Sequence, residues 1–277
     1  MIRIITDSST LYTQDVANEL QIDVVPLTVT INNQSYREFI EIDTNKFYEI
    51  IKQGHIPTSS QPPIGDYLEL FDKYKEDEVI VITMADGLSG TYQSCLSAKQ
   101  ISEHPRIKVI NSKTLCVPHR LVVKDAIEMR DQGHTFDEIV SMIETKCETS
   151  RSFLLPQDFD FLKRGGRLTN LAATLGGLLK IQPVVTQTKD GTRLEKFGVG
   201  RNFKGAVKKV LEHLKHEGID NSFRFGVSHA FTYDQAQQVA QMIKEKFNVT
   251  KVEIEELSCA FITQGGPLCV AIQVIAS

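Results

Sequence analysis

The sequence contains 277 residues, of which 41% are hydrophobic and 24% are charged, and its 31 basic and 35 acidic residues give a formal net charge of −4. This composition supplies enough apolar side chains for a packed core and excludes a chain that is disordered along its length. The slight acidic excess also argues against a general affinity for nucleic acid, which requires a concentrated basic surface.

Cysteine usage and hydrophobic patterning predict a soluble, cytoplasmic protein. The five cysteines are scattered along the chain without a CxxC pair, which is typical of reduced thiols. The first residues, MIRIITDSS, lack the pattern of a signal peptide. No run approaches the roughly eighteen apolar residues that a membrane-spanning helix needs.

The first half of the chain alternates apolar runs with amphipathic stretches. Strands are predicted at IRIIT (2–6), VIVIT (79–83) and RIKVI (106–110), and Pro26 marks an edge strand or a break within the apolar run 22–31. Segments with helical spacing of apolar residues separate these runs. Uninterrupted apolar strands that alternate with helices indicate a parallel α/β layer.

A different pattern begins near residue 150. The predicted strands are 152–156, 182–188, 223–229, 251–257 and 267–276, and the predicted helices are 203–218 and 233–247. Asp190-Gly191 is a hairpin signal, so this half is expected to contain antiparallel pairing. We therefore expect an α/β protein of two domains, with a parallel α/β layer in residues 1–150 and a mixed α/β domain in residues 151–277.

Three segments rich in hydroxyl side chains are expected where strands give way to helices. They are Thr6-Asp7-Ser8-Ser9, Thr58-Ser59-Ser60-Gln61 and Asp86-Gly87-Leu88-Ser89-Gly90-Thr91. Parallel α/β layers bind ligands at this edge, and a helix start with added hydroxyls can hold a carboxylate or a phosphate. Each segment taken alone is more often an ordinary helix cap.

A catalytic role for these loops centres on Ser89. The motif GLSG is not a hydrolase elbow, because Gly-x-Ser-x-Gly requires glycine where Thr91 stands. A serine nucleophile needs a base within reach, and the candidates are His229, Asp7 and Asp86. A serine hydrolase, or an enzyme related to small-molecule kinases, is therefore the alternative to a binding protein.

The sequence predicts neither a metal site nor a cofactor. His213 and His216 lie three residues apart on a helix without an evident third ligand, so a solvated surface is the better interpretation. No phosphate-binding loop pattern GxxxxGK[ST] occurs. A regulator that binds a small ligand is a third possibility, although no nucleic-acid-binding motif supports it.

Seven short motifs follow one another with the spacing found in the DegV family. They are ITDSSTL (5–11), VVPLTVTI (24–31), PTSSQPPIGDY (57–67), GLSGTYQS (87–94), INSKT (110–114), LKRGGRL (162–168) and LLKIQPVV (178–185). The chain resembles this family over nearly its whole length. The resemblance implies a bacterial fatty-acid-binding protein of two α/β domains that enclose one long acyl chain between them.

The same resemblance implies a partner and a set of binding residues. The partner is a separate ATP-dependent fatty acid kinase subunit, which converts the presented carboxyl group into an acyl phosphate for phospholipid synthesis. Transient membrane contact for lipid exchange is compatible with this role. The carboxylate-binding hydroxyls are those of Ser59 and Ser89, with Ser60, Gly90 and Thr91 close by.

The sequence departs from the family pattern at three places. Asp86 stands where serine is usual, and Asn111 stands where aspartate is usual. Near the C-terminus, Ile262-Thr263-Gln264-Gly265-Gly266 replaces the frequent His-Thr-Gly-x-Gly. A histidine that often contacts the head group is therefore missing, and Gln264 and His229 are its candidate replacements.

Two further sets of residues have open interpretations. A basic set forms either a solvated surface or a docking face for the kinase, and the resemblance favours Arg201: Lys163, Arg164, Arg167, Lys196, Arg201 and Lys204. An apolar set lines either an acyl tunnel or an ordinary core: Phe153, Leu154, Leu155, Phe159, Phe161, Leu171, Leu175, Leu178, Leu179 and Ile181.

Overall fold

The computed structural model describes residues 1–170 and 181–277, which form two compact units. The first unit comprises Met1–Leu115, His119–Glu148 and Ser258–Ala260. The second comprises Cys116–Pro118, Thr149–Leu257 and Phe261–Ser277. None of the helices in the described ranges is both long enough and apolar enough to cross a membrane.

The described elements follow the chain in this order. Up to residue 148 they are β1 (Ile2–Asp7), a 3-10 turn (Ser8–Thr10), α1 (Gln14–Glu19), β2 (Asp23–Val25), β3 (Thr28–Ile31), β4 (Gln34–Arg37), α2 (Thr44–Lys52), β5 (Thr58–Ser60), α3 (Ile64–Lys73), β6 (Glu78–Thr83), α4 (Thr91–Ile101), β7 (Ile107–Asn111), α5 (Cys116–Asp131) and α6 (Phe136–Cys147). From residue 149 they are β8 (Arg151–Leu155), α7 (Phe159–Arg164), β9 (Gln182–Gln187), β10 (Leu194–Gly200), α8 (Phe203–His216), β11 (Phe223–His229), α9 (Tyr233–Phe247), β12 (Glu253–Glu256), α10 (Cys259–Gly265) and β13 (Val270–Ala276).

A four-stranded parallel sheet forms the centre of the first unit and confirms the predicted parallel layer. Its strand order is β2-β1-β6-β7. The apolar run of β6 is buried from Val79 to Thr83, as expected for a strand covered on both faces. Tyr67 and Phe71 of α3 pack on this sheet with Cys95 and Ala98 of α4.

A second, three-stranded sheet in the same unit corrects one prediction. Thr58–Ser60 is not a loop that opens a helix, because it forms strand β5, which pairs antiparallel with β3. Helix α3 begins only at Ile64, after two prolines that lack the N–H needed to continue the ladder. Pro26 lies in the break between β2 and β3, as predicted.

The second unit is built on a six-stranded mixed sheet of order β10-β9-β8-β13-β11-β12. All of its pairings are antiparallel except that between β11 and β12. The predicted Asp190-Gly191 hairpin joins β9 to β10, and Gly191 adopts a φ of 73° there. Helices α8 and α9 bury their apolar stripes on this sheet, and the core includes Leu155, Val210, Leu214, Phe225, Val239 and Ile272.

Candidate functional site

The loop between β6 and α4 places two hydroxyl groups at the start of a helix. Helix α4 begins at Thr91, and its N-cap is Gly90, which has no side chain to bond the first N–H groups. The Ser89 Oγ lies 2.7 Å from the Thr91 Oγ1, and Ser89 is 9% exposed while Thr91 is fully buried. Because one of these hydroxyls donates to the other, one O–H remains available for a ligand oxygen.

The segment around β5 lies directly beside this loop. A β-carbon placed on Gly90 would stand 3.0 Å from the amide carbon of Gln61. The Ser94 Oγ of α4 also donates to the carbonyl oxygen of Pro62 at 2.8 Å. The two hydroxyl motifs that the sequence singles out are therefore neighbours within the first unit, and Gly90 permits their close approach.

Strand geometry separates Ser59 from Ser60. Ser59 pairs with Val29, which is fully buried, so the two side chains share the inner face of the sheet. Successive residues of a strand point to opposite faces, and Ser60 is exposed. The structure therefore favours Ser59 over Ser60 as a partner of Ser89 and Thr91.

Asp86 is held by local hydrogen bonds within its own loop. Its Oδ1 accepts from the backbone N of Gly87 at 3.1 Å, and its Oδ2 accepts from the Gln93 Nε2 at 2.8 Å. Asn111 supports the loop from β7, because its Oδ1 accepts from the backbone N of Asp86 at 3.2 Å. Asp86, which stands where serine is usual in the family, thus stabilises its own loop by accepting hydrogen bonds.

A buried polar network lies at the carboxyl end of β1. Asp7 accepts from the backbone N of Ser9 at 2.9 Å and from that of Met84 at 2.8 Å. The Ser9 Oγ lies 2.8 Å from the Nδ1 of His119, whose Nε2 lies 3.2 Å from the carbonyl oxygen of Ile82. Because a carbonyl oxygen only accepts, the His119 Nε2 donates to Ile82. Burial lowers the pKa of His119 and so favours the neutral ring, in which Nδ1 accepts from Ser9.

Glu38 is a fully buried acid of the same unit. Its Oε1 accepts from the Ser8 Oγ at 2.5 Å, and its Oε2 accepts from the backbone N of Ala260 at 2.9 Å. The Ser8 Oγ in turn accepts from the backbone N of Leu27 at 2.8 Å. Burial raises the pKa of Glu38 from 4.5 to about 7, against the opposing effect of the hydrogen bonds from Ser8 and Ala260.

Comparison with known proteins decides the family. The sequence model of one protein family, described as "Uncharacterised protein, DegV family", matches residues 1–277. This chain belongs to the DegV family. A DegV domain-containing protein of Clostridium perfringens is 31% identical over 268 residues, which are 93% of this chain and 92% of that protein. Protein DegV of Bacillus subtilis is 30% identical over 251 residues, 89% of each chain.

Solved structures of DegV proteins confirm the fold class predicted for this chain. One is a DegV family protein from Thermus thermophilus, described by its fatty acid binding. It superposes with a TM-score of 0.90 at 25% sequence identity, and the alignment covers 100% of this chain and 99% of that protein. DegV of Bacillus subtilis, described as a fatty acid binding protein, has a TM-score of 0.87 at 27% identity with the same coverage.

Arg167 and Arg201 are the two basic residues of this DegV chain that are candidates for docking a partner. The Arg167 Nη1 donates to the carbonyl oxygen of Gly165 at 2.5 Å, and Arg193 donates to that of Gly166 at 2.9 Å. Burial, and then the charge of Arg193, lower the pKa of Arg167. Arg201 is exposed at the end of β10, immediately before the N-cap of α8.

The apolar set predicted to line a tunnel divides between two faces of the second unit's sheet. Phe153 and Leu155 point into the core formed with α8 and α9, so ordinary packing accounts for them. Leu154 and Phe159 belong to a separate, partly buried apolar surface, formed with Leu162, Leu168, Val185 and Leu194. Leu162, Leu168 and Val185 are buried within it, so packing accounts for these three residues as well. Leu171, Leu175, Leu178 and Leu179 lie outside the described residues.

The two candidate replacements for the missing family histidine are both in the second unit. His229 ends β11, is 5% exposed, and has its pKa lowered by burial. The ring of Tyr233 meets it edge-on at 5.6 Å. Gln264 lies in α10. A β-carbon added to Gly165 would stand only 2.0 Å from the Gln264 Oε1, so the Gln264 side chain packs directly on the loop after α7.

Sequence reasoning missed Glu38 and His119. Glu38 stands beyond the end of a short exposed strand, and His119 lies within a helix whose apolar spacing it does not interrupt. The only local signal was the hydroxyl cluster from Thr6 to Ser9, whose side chains are buried and bonded to these two residues or to neighbouring backbone.

Proposed function

We propose that this chain binds one long-chain fatty acid in the bacterial cytoplasm and presents its carboxylate to a separate ATP-dependent fatty acid kinase subunit. In this proposal Ser59, Ser89 and Thr91 bind the carboxylate, Gly90 permits close approach, and apolar side chains enclose the tail. The observation that carries it is the contact between Gln61 and Gly90, which brings the two hydroxyl motifs together. The fatty acid binding described for related DegV proteins supports the ligand class.

The acyl tail supplies most of the binding free energy in this scheme. Burial of a methylene group contributes about 0.8 kcal/mol, so a chain of about fourteen methylenes contributes roughly 11 kcal/mol before the entropic cost of association. A hydrogen bond from a neutral hydroxyl to a carboxylate contributes about 1–3 kcal/mol. The hydroxyl groups therefore orient the ligand more than they retain it.

Neutral donors suit a carboxylate that must react after it is bound. A buried guanidinium would form a bidentate ion pair, hold both carboxylate oxygens and reduce their nucleophilicity. The Ser89–Thr91 pair leaves a single O–H to donate, so one ligand oxygen keeps lone pairs for attack on a phosphoryl group.

Ser89→Ala tests the separation between orientation and retention. We expect both the wild type and the variant to release a fatty acid into an organic extract, as measured by mass spectrometry. Phosphorylation of the bound lipid by the kinase should fall about tenfold or more in the variant, because the carboxylate loses its orientation. Ser97→Ala is the matched control, since the Ser97 Oγ donates only to the Gln93 carbonyl oxygen within the same helix.

Two results would contradict the proposal. A wild-type protein without any co-purifying or exchangeable fatty acid would reject the ligand class. A Ser89→Ala protein that is lipid-free while the wild type is loaded would reject the division between head group and tail.

The kinase-docking part of the proposal rests on Arg201 and Arg167. Arg201→Glu should slow phosphorylation of bound lipid while loading stays normal, because the substitution reverses a charge that faces the partner's phosphate site. Lys246→Glu, an exposed charge reversal on α9, is the control. Equal turnover of both variants by the kinase would remove Arg201 from the interface.

Lipid exchange through transient membrane contact completes the proposal. Transfer of a fluorescent fatty acid from vesicles should then speed up as the vesicle concentration rises. A transfer rate that is independent of vesicle concentration would indicate uptake of fatty acid from free solution.

A hydrolase using Ser89 receives less support from the geometry. The Ser89 Oγ pairs with a hydroxyl, and the buried imidazole of the same unit, His119, already bonds Ser9 and Ile82. Hydrolysis of a p-nitrophenyl ester by the purified protein, abolished in Ser89→Ala, would favour this alternative.

A further inference from the structure

The hydroxyl group of Tyr67 is buried and has no hydrogen-bond partner among the described residues, 1–170 and 181–277. Tyr67 lies one turn into α3, is 0% exposed, and is one of the largest fully buried side chains. Buried tyrosine hydroxyls nearly always find a partner, so an unsatisfied one at this depth requires an explanation.

The surroundings place this hydroxyl close to the carboxylate-binding loops. The Tyr67 ring packs against Phe71, with centroids 6.3 Å apart, and shares its core cluster with Cys95 of α4. Burial and then the charge of Asp7 raise the pKa of Tyr67 well above its ordinary value. Asp7 ends β1 and bonds the backbone N of Met84, which follows β6, so Tyr67 lies near the carboxyl edge of the sheet.

Helix α4 lines the same region with hydroxyl groups. Thr91 and Ser94 are buried on its inner face, and Cys95 occupies the next position of that face. The bond from Ser94 to the Pro62 carbonyl oxygen fixes the start of α3 against the first turn of α4. A polar atom bound at Ser89 and Thr91 would therefore lie on the same side of the sheet as Tyr67.

We propose that the Tyr67 hydroxyl donates a hydrogen bond to the head group of the bound ligand, directly or through one water. It would be a positioning residue that favours a carboxylate over an uncharged head group. The phenol is protonated at physiological pH and can therefore donate this hydrogen bond. This inference rests on the proposed fatty acid binding.

The test is Tyr67→Phe in the full-length, delipidated protein, with palmitic acid and hexadecanol as probes. The variant should bind palmitic acid about tenfold more weakly, while its affinity for hexadecanol changes much less. The melting temperature of the lipid-free variant should be equal to or above that of the wild type, because an unsatisfied buried hydroxyl has been removed.

Tyr74→Phe, at the C-cap of the same helix, is the matched control, because the Tyr74 hydroxyl already donates to Asp23 at 2.8 Å. It should lower stability and leave the palmitic acid to hexadecanol affinity ratio unchanged. A wild-type ratio in Tyr67→Phe overturns this inference alone. A wild-type protein that binds neither probe overturns the proposed function and this inference with it.

Discussion

Replacing Glu38 by glutamine should remove a large part of the pH dependence of stability between pH 4.5 and pH 7. The Glu38 carboxyl is fully buried and accepts hydrogen bonds from Ser8 and from the backbone N of Ala260. Burial nevertheless dominates and raises its pKa from 4.5 to about 7. The folded protein therefore holds a proton on Glu38 over a pH range in which the unfolded chain has released it.

The sign and size of the effect follow from this difference. Since the folded-state pKa is the higher one, the stabilising contribution is fully present below pH 4.5 and is lost as the pH rises through about 7. A rise from 4.5 to about 7 corresponds to roughly 3 kcal/mol in the free energy of unfolding. His119 acts in the opposite direction, because its pKa is lowered, so only the difference between wild type and variant isolates Glu38.

The assay is urea unfolding of lipid-free wild type and Glu38→Gln at several pH values from 4.5 to 8. The variant should lose stability relative to the wild type at pH 4.5, and this deficit should shrink by about 3 kcal/mol, or even reverse, by pH 8. A difference that stays constant across the range would refute the reasoning. It would mean that the two donors to the carboxylate, Ser8 and the backbone N of Ala260, offset its burial and leave its pKa ordinary.

Two other substitutions give independent tests of the fold. Glu138→Ala breaks the capping box with Thr135, and because hydrogen bonds from Thr135 lower the pKa of Glu138, the loss of stability should grow as the pH rises from 3 to 6. A pH-independent loss would contradict this. Gly226→Ala puts a β-carbon 2.3 Å from the Val117 Cγ1 and should cost about 1–3 kcal/mol in urea unfolding. The Val117 Cβ would also lie 2.5 Å away, so the relieving change is Val117→Gly. Gly226→Ala should cost clearly less in a Val117→Gly background, and an equal cost in both backgrounds would contradict the proposed clash.

The parts of the fold that sequence predicts are those in which local pattern and burial agree. The run VIVIT is apolar at every position, and a strand of that kind is stable only between two covering layers. It forms β6, the inner neighbour of β1. Asp190-Gly191 predicts the β9–β10 hairpin for an equally local reason, since glycine adopts positive φ without steric cost.

The small antiparallel sheet was not predictable by the same means. Thr58–Ser60 is short, polar and followed closely by proline, which is the composition of a turn. It becomes a strand because β3 offers unpaired backbone groups, and Val29 and Ile31 supply a buried face. Here tertiary pairing overrides local propensity. The consequence for the site is that Ser59 and Ser60, adjacent in sequence, face opposite sides.

The buried acid and imidazole escaped prediction because their partners are distant in sequence. Glu38 bonds Ser8, 30 residues away, and Ala260, 222 residues away. His119 bonds Ser9 across 110 residues. Nothing in the neighbourhood of either residue indicates such partners. By contrast, Ser89, whose hydroxyl partner is two residues along the chain, could be placed at a helix start from the sequence alone.

The acidic side chains around the candidate site are compensated by uncharged hydrogen-bond donors. Asp7 accepts from two backbone N–H groups, and Asp86 accepts from one backbone N–H and from the Gln93 amide. Below about pH 7 the Glu38 carboxyl is protonated and therefore uncharged. Because these acids are satisfied by neutral donors, their compensation does not require a cation next to Ser89. In the proposed function, a ligand carboxylate would then meet hydroxyl groups, which orient it without binding it in an ion pair, and its oxygen would remain reactive toward a phosphoryl donor.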